Sequence, residues 1–168
     1  NYWNNQYLVV WEDYVQSAGR NTIQGRLVSA TGQFVSDEMI QGISVNSVPS
    51  LPAVAYSSTS HRYLVVWQDA WDVVHGQRLL PGGQLLNRFV VAEGVNAKRQ
   101  PAVAYDPSRD RYLVTWIYDY WGNDSDWDVH GRFIPWDGPS ASLHEFTICD
   151  WTSNQRRQVG STGSARGS

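Results

Sequence analysis

One stretch of this chain is written twice. Pro52 to Asp69, PAVAYSSTSHRYLVVWQD, returns at Pro101 to Trp116 as PAVAYDPSRDRYLVTW. Pro101 follows Pro52 by 49 positions, and Tyr112 and Trp116 follow Tyr63 and Trp67 by the same 49. A shortened third copy, NNQYLVVWED, stands near the start and sets Tyr7 and Trp11 56 positions before Tyr63 and Trp67. A period near fifty residues, dense in strand formers, means repeated β units that bury their apolar surface by stacking on one another.

Within a unit the turn chemistry separates four strands. In the second unit they are expected at Pro52–Tyr56, Arg62–Asp69, Asp72–Leu80 and Leu85–Ala92, rich in Val, Leu, Tyr and Trp. Thr31-Gly32, Gly82-Gly83 and Asp137-Gly138 fall at the same place in the three units and suit hairpins that need positive φ. Tyr63-Leu64-Val65-Val66-Trp67 is continuously apolar rather than alternating, so both faces of that strand should be covered. Pro52 and Pro101 are acceptable as the first residues of strands, and the small side chains after them suit an innermost, crowded position.

The pattern Pro-Ala-Val-Ala-Tyr, then Tyr-Leu-Val-Val-Trp, then Gly-Gln-Arg-Leu resembles a four-stranded β-propeller blade of the kind seen in bacterial extracellular repeat proteins. Its length is kelch-like, without kelch or WD signature residues. The resemblance covers residues 1–159 as three repeats, 1–51, 52–100 and 101–159, and leaves 160–168 as a tail or cloning remnant. It implies an all-β fold. Propellers have four to eight blades, so about three repeats imply half of a six-bladed ring completed by a second copy. The PAVAY-like segment expected before Tyr7 is absent from the sequence, which reads as a fragment or engineered chain; Arg156–Gly160 of a partner chain is one candidate for that strand. A secreted or cell-surface bacterial parent fits the resemblance.

The third strand carries Gly25-Arg26-Leu27, Gly76-Gln77-Arg78-Leu79 and Gly131-Arg132-Phe133. Aligned this way, unit two has one extra residue, which a bulge at Gly76-Gln77 would absorb while returning Leu79 to the core. The repeated arginines are expected to pair with carboxylates rather than to form a ligand ring.

Net charge is −3, with 13 Lys and Arg and 16 Asp and Glu. No basic run marks a nucleic-acid or anionic-membrane surface, and no 18-residue apolar run spans a bilayer. Cys149 is the one cysteine, which excludes an intrachain disulfide and is expected to act as a small buried hydrophobe.

Binding chemistry is expected in the variable loops Tyr14–Asn21, Ala70-Trp71 and Ile117–Trp127, on the face shared with the links between units. There Trp71, Tyr118, Tyr120, Trp121, Trp127 and Trp151 would collect beside Asp, Asn and Arg, a set suited to glycans because a flat ring covers the apolar face of a pyranose. Asp124, Asp126 and Asp128 alternate like calcium ligands but lack the glycine and distal glutamate of a calcium loop. Asp69 and Asp119 are the carboxylate pair that a glycosidase would need. His75 and His130 share one repeat position with Gln24, which reads as structural, and no nucleophile motif accompanies them. No cofactor fingerprint is present.

Overall fold

The structure is a computed structural model that describes residues 5–35, 40–44, 49–119, 127–137 and 144–150. It is all-β apart from one short 3-10 turn, Gln16–Ala18. The first sheet holds β1 (Gln6–Val15), β2 (Arg20–Ser29) and β3 (Ile40–Ser44). The second holds β4 (Ser50–Ser57), β5 (Arg62–Gln68), β6 (Val74–Leu79) and β7 (Leu85–Ala92). The third holds β8 (Lys98–Asp106), β9 (Arg111–Asp119), β10 (Trp127–Pro135) and β11 (Phe146–Cys149). Each sheet is an antiparallel meander in which neighbours in sequence are neighbours in space.

From Tyr63 to Trp67 β5 is continuously apolar because it faces two cores. Tyr63, Val65 and Trp67 point toward the first sheet and pack with Leu8, Ile23 and Leu27. Leu64 and Val66 point toward the third and pack with Val103, Tyr112, Val114 and Trp116. Burial on this scale contributes about 1.5–3 kcal/mol for each large side chain. Polar bonds fix the same stacking: Tyr112 donates to the Arg62 carbonyl at 2.8 Å, and the Ser57 hydroxyl donates to Asp110 at 3.0 Å.

The strand register aligns the repeats independently of the sequence. Val10 faces Gly25, Val66 faces Gly76 and Thr115 faces Gly131, so the three glycines are equivalent. Trp11, Trp67 and Trp116 likewise face Gln24, His75 and His130, as the sequence indicates. The expected bulge at Gly76-Gln77 is not there: β6 pairs with β5 unbroken from Tyr63↔Leu79 to Gln68↔Val74. Gln77, opposite Val65, therefore takes the place of Arg26 and Arg132, and Arg78 takes that of Leu27 and Phe133. The irregularities lie on the other side of β6, in its pairing with β7, and Leu79 still reaches the core. Arg132 and Arg78 reach carbonyls rather than the expected carboxylates. Arg132 donates to the Val91 carbonyl at 2.6 Å and Arg78 to the Trp136 carbonyl at 2.9 Å, tying the second sheet to the third.

The inner strands also begin earlier than their prolines. β4 and β8 each contain a register shift, between Ser50 and Ala53 and between Arg99 and Ala102, with Leu51 and Gln100 both at φ 52°. Proline has no N–H to give to a ladder, so each bulge sets it where the ladder is already interrupted. The freed N–H of Gln100 donates instead to the Gln68 side chain at 2.7 Å, joining the two sheets.

Gly76 and Gly131 are required by what lies over them. A Cβ on Gly76 would stand 2.8 Å from two ring carbons of Phe89, and one on Gly131 would stand 3.0 Å from Ile148 and 3.3 Å from Phe146. Each glycine leaves room for an aromatic ring from the fourth strand, Phe89 opposite Gly76 and Phe146 opposite Gly131. Gly76→Ala is expected to cost about 1–3 kcal/mol in urea denaturation, and Phe89→Leu in the same chain is expected to recover part of it by removing the ring edge.

Candidate functional site

The end of the sheets that carries the links between units also carries a tight turn, Asp69–Val73. Asp69 donates its N–H to the Val73 carbonyl at 3.0 Å and accepts from the Asp72 N–H through its own carbonyl at 3.1 Å. Its side chain closes the same turn: Oδ1 accepts from the N–H groups of Trp71 and Val73, at 2.9 and 3.1 Å, while Oδ2 lies 2.8 Å from His75 Nε2. This turn is why β6 begins at Val74 rather than at Asp72. Burial alone would push the Asp69 carboxyl up; the bonds from His75, Val73 and Trp71 outweigh it and hold the carboxyl below its ordinary value. Both oxygens of Asp69 are thus engaged in closing this turn. Asp13 holds Gln24 in the same way at 2.6 Å, so the acceptor and its partner recur across the first two sheets.

In the third sheet Tyr118 stands where Asp69 stands in the second, and His130 takes its carboxylate from Glu145 at 2.6 Å. Tyr118 lies against the His130 ring, 4.6 Å between centroids, and the Lys98 ammonium stands 4.9 Å from the Tyr118 ring centroid. Lys98 is buried and donates to the carbonyls of Val95 and Asn96, both at 3.1 Å. Burial pulls this ammonium below its ordinary value against the opposing pull of Glu145 and Asp72. Lys98, Tyr118, His130 and Glu145 thus form one cluster, held as well by the Val95 and Asn96 carbonyls.

A cleft of about 250 Å³ opens at the same end, lined by Arg99, Gln100, Ile117 and Trp127. Arg99 makes a two-pronged ion pair with Asp72, 2.9 and 3.0 Å, and its guanidinium stands 5.1 Å from the Trp127 ring centroid. Asp72 adopts φ 56° and accepts the Lys98 N–H through its carbonyl at 3.1 Å, so the turn of the second sheet aims this carboxylate at the third.

Of the six aromatic residues singled out by the sequence, the structure describes Trp71, Tyr118 and Trp127. Trp71 is exposed at the tip of the Asp69–Val73 turn. Tyr118 and Trp127 point to opposite faces of the third sheet, because Tyr118 faces Asp128 across the ladder while Trp127 faces Asp119. Trp127 lines the cleft; Tyr118 packs on the core between the second and third sheets. Tyr120, Trp121 and Trp151 lie outside the described residues, as do Asp124 and Asp126. Asp128 is buried on β10, and among the described residues no group of three His, Cys, Asp or Glu is placed to hold a metal ion. Cys149 is half-buried on β11 and unpaired. Sequence reasoning did not single out Arg99, Gln100 or Asp72, although Arg99-Gln100 directly precedes the second PAVAY copy; Arg99 pairs with Ile117 and the bulge that follows takes Gln100 out of the ladder.

The site and the fold together define an all-β protein of stacked antiparallel meanders. No family model matches the chain, and no curated protein matches it. Among solved structures it is similar to one described as Hadza microbial sialidase Hz136, at 11% identity and a TM-score of 0.48. The match covers 77% of this chain and 34% of the other, so the chain spans about a third of that protein's length. A likeness of this size says nothing of activity.

Asp69→Asn tests the turn. The carboxyl sits lower in the folded state than in the unfolded chain, so its stabilisation is complete above the unfolded pKa, about 4, and is lost as pH falls through the folded value. The variant is expected to be about 1–3 kcal/mol less stable at pH 7, with the two denaturation curves converging toward pH 3.

Proposed function

We propose that the three sheets are blades of a β-propeller and that the chain is a non-catalytic scaffold module that closes its ring by self-association. The observation that carries this reading is a comparison of equivalent positions. Tyr63 and Val65 are 3% and 0% exposed, and Tyr112 and Val114 are fully buried, each pair against the preceding sheet. Their counterparts in β1, Tyr7 and Val9, are 60% and 48% exposed. At the opposite end of the stack, Ile148 lies over Gly131 as Val91 lies over Gly76, yet Ile148 is 50% exposed where Val91 is 0%.

The two outer faces are therefore complementary halves of the junction that the chain already makes twice internally. Apolar faces of this kind mark association sites. The β1 face of one copy packs on the β10–β11 face of the next, a head-to-tail contact that closes at six blades when two copies meet. The cleft at Arg99, Gln100, Ile117 and Trp127 belongs to the same outer face; its Ile117 stands where Gln68 receives the Gln100 N–H in the second sheet.

Sedimentation velocity at micromolar concentration is expected to show a dimer, and Val9→Lys is expected to shift it to monomer. A compact monomer of the unaltered chain at those concentrations sinks the proposal.

A second reading, glycan binding, draws on the Trp127 ring in that cleft beside the Gln100 amide and the Arg99–Asp72 pair. On a glycan array the protein would then retain a ligand that Trp127→Ala loses and Trp136→Ala keeps, Trp136 lying at the opposite end of the sheets. No retained glycan removes this reading.

A further inference from the structure

In the second and third sheets the strand bearing Tyr and Trp is paired along both edges. β4 lies on β5 with Ala53↔Val66, Val54↔Val65, Ala55↔Leu64 and Tyr56↔Tyr63, and β8 lies on β9 with the matching set from Ala102↔Thr115 to Tyr105↔Tyr112. β1 pairs with β2 alone, and among the described residues its other edge has no strand beside it. An open edge is a template for another strand.

What the edge is shaped for can be read from three observations. The residue before each Tyr-bearing strand is left-handed in all three sheets, Asn5 at φ 49°, His61 at 53° and Asp110 at 45°. In the complete sheets that residue meets the inner strand's tyrosine hydroxyl, Tyr56 with His61 Nδ1 at 2.9 Å and Tyr105 with Asp110 at 2.6 Å. Asn5 holds the same backbone conformation beside the open edge. Second, each inner-strand tyrosine lies tilted on the tyrosine opposite, Tyr56 on Tyr63 at 5.0 Å and Tyr105 on Tyr112 at 5.4 Å, whereas the equivalent Tyr7 is exposed. Third, a groove of about 150 Å³ runs between β1 and β4, lined by Tyr7, Leu8, Val54, Ala55, Tyr56 and Tyr63. Val54 and Tyr56 are only half-buried beside it, while Val103 and Tyr105, covered by Ala53 and Ala55 of the neighbouring inner strand, are buried.

We propose that the free edge of β1 is a strand-acceptor site for an extended segment of the Ala-Val-Ala-Tyr type, bound antiparallel to β1. The register follows from the two complete sheets: the first alanine opposite Val10, the valine opposite Val9, the second alanine opposite Leu8 and the tyrosine opposite Tyr7, its hydroxyl at the Asn5 side chain. The alanines enter the groove against Val54 and Tyr56, as Ala53 and Ala55 meet Val103 and Tyr105. Main-chain bonds supply affinity; the narrow groove and the tyrosine supply selectivity. The assignment rests on reading the sheets as copies of one blade and extends it from the faces to an edge.

The test is a fluorescein-labelled synthetic peptide of residues 50–58 titrated into the whole chain and followed by anisotropy, with sedimentation on the same samples. Saturable binding is expected. It should weaken roughly 3- to 10-fold when alanine replaces the peptide's tyrosine, and by a similar factor in the Tyr7→Ala protein, from the loss of one aromatic pair. A peptide with leucine in place of both alanines is expected not to bind. A chain that is monomeric yet takes up the peptide keeps the acceptor edge and removes self-association. No uptake at millimolar peptide, whether the chain is monomeric or oligomeric, overturns the acceptor edge while leaving the oligomeric state as its own result. Binding indifferent to both tyrosine changes overturns it equally.

Discussion

Everything in this structure depends on a strand that is apolar on both sides. Tyr63 to Trp67 cannot be half of a two-layer sandwich, because the face opposite the core would then carry Leu64 and Val66 into water. The strand must be covered twice, and the cover must repeat because the strand repeats. From this follow the stacked meanders, the glycines that admit Phe89 and Phe146, the hydroxyl of Tyr112 reaching across to the Arg62 carbonyl, and the arginines that clasp carbonyls of the adjoining sheet. Polar groups between the second and third sheets reach both backbone carbonyls, from Tyr112, Arg78 and Arg132, and side-chain acceptors, Asp110, Gln68 and Asp72.

Much of this was legible in the residues. The period, the four-strand unit, the two-sided burial of Tyr63–Trp67 and the shared position of Gln24, His75 and His130 all follow from patterns with a physical cause, periodicity and local turn chemistry. What was misread is where two patterns compete. Matching Arg78 to Arg26 and Arg132 by residue type forced an extra residue into β6, whereas hydrogen-bond register follows the ladder with β5 and places Gln77 there. The prolines were taken as strand starts because their missing N–H was noticed before the bulge that removes the need for it.

The site was less legible than the fold. Side-chain alternation along β9 and β10 sends Tyr118 and Trp127 to opposite faces, and only the register decides which residue goes where. Arg99, Gln100 and Asp72 carry no motif; they converge because a bulge in one sheet meets a left-handed turn in another. Asp69 has the composition of a candidate acid, and its hydrogen bonds make it a structural acceptor.

The second sheet is bordered by both cores, the first and third by one each. In a quasi-linear stack, cooperativity passes only between neighbours, so the free energy of local opening should rise from either end toward β5. The chain is then less a domain with a surface than a short segment of a one-dimensional lattice, whose middle cell alone finds both of its neighbours within the chain.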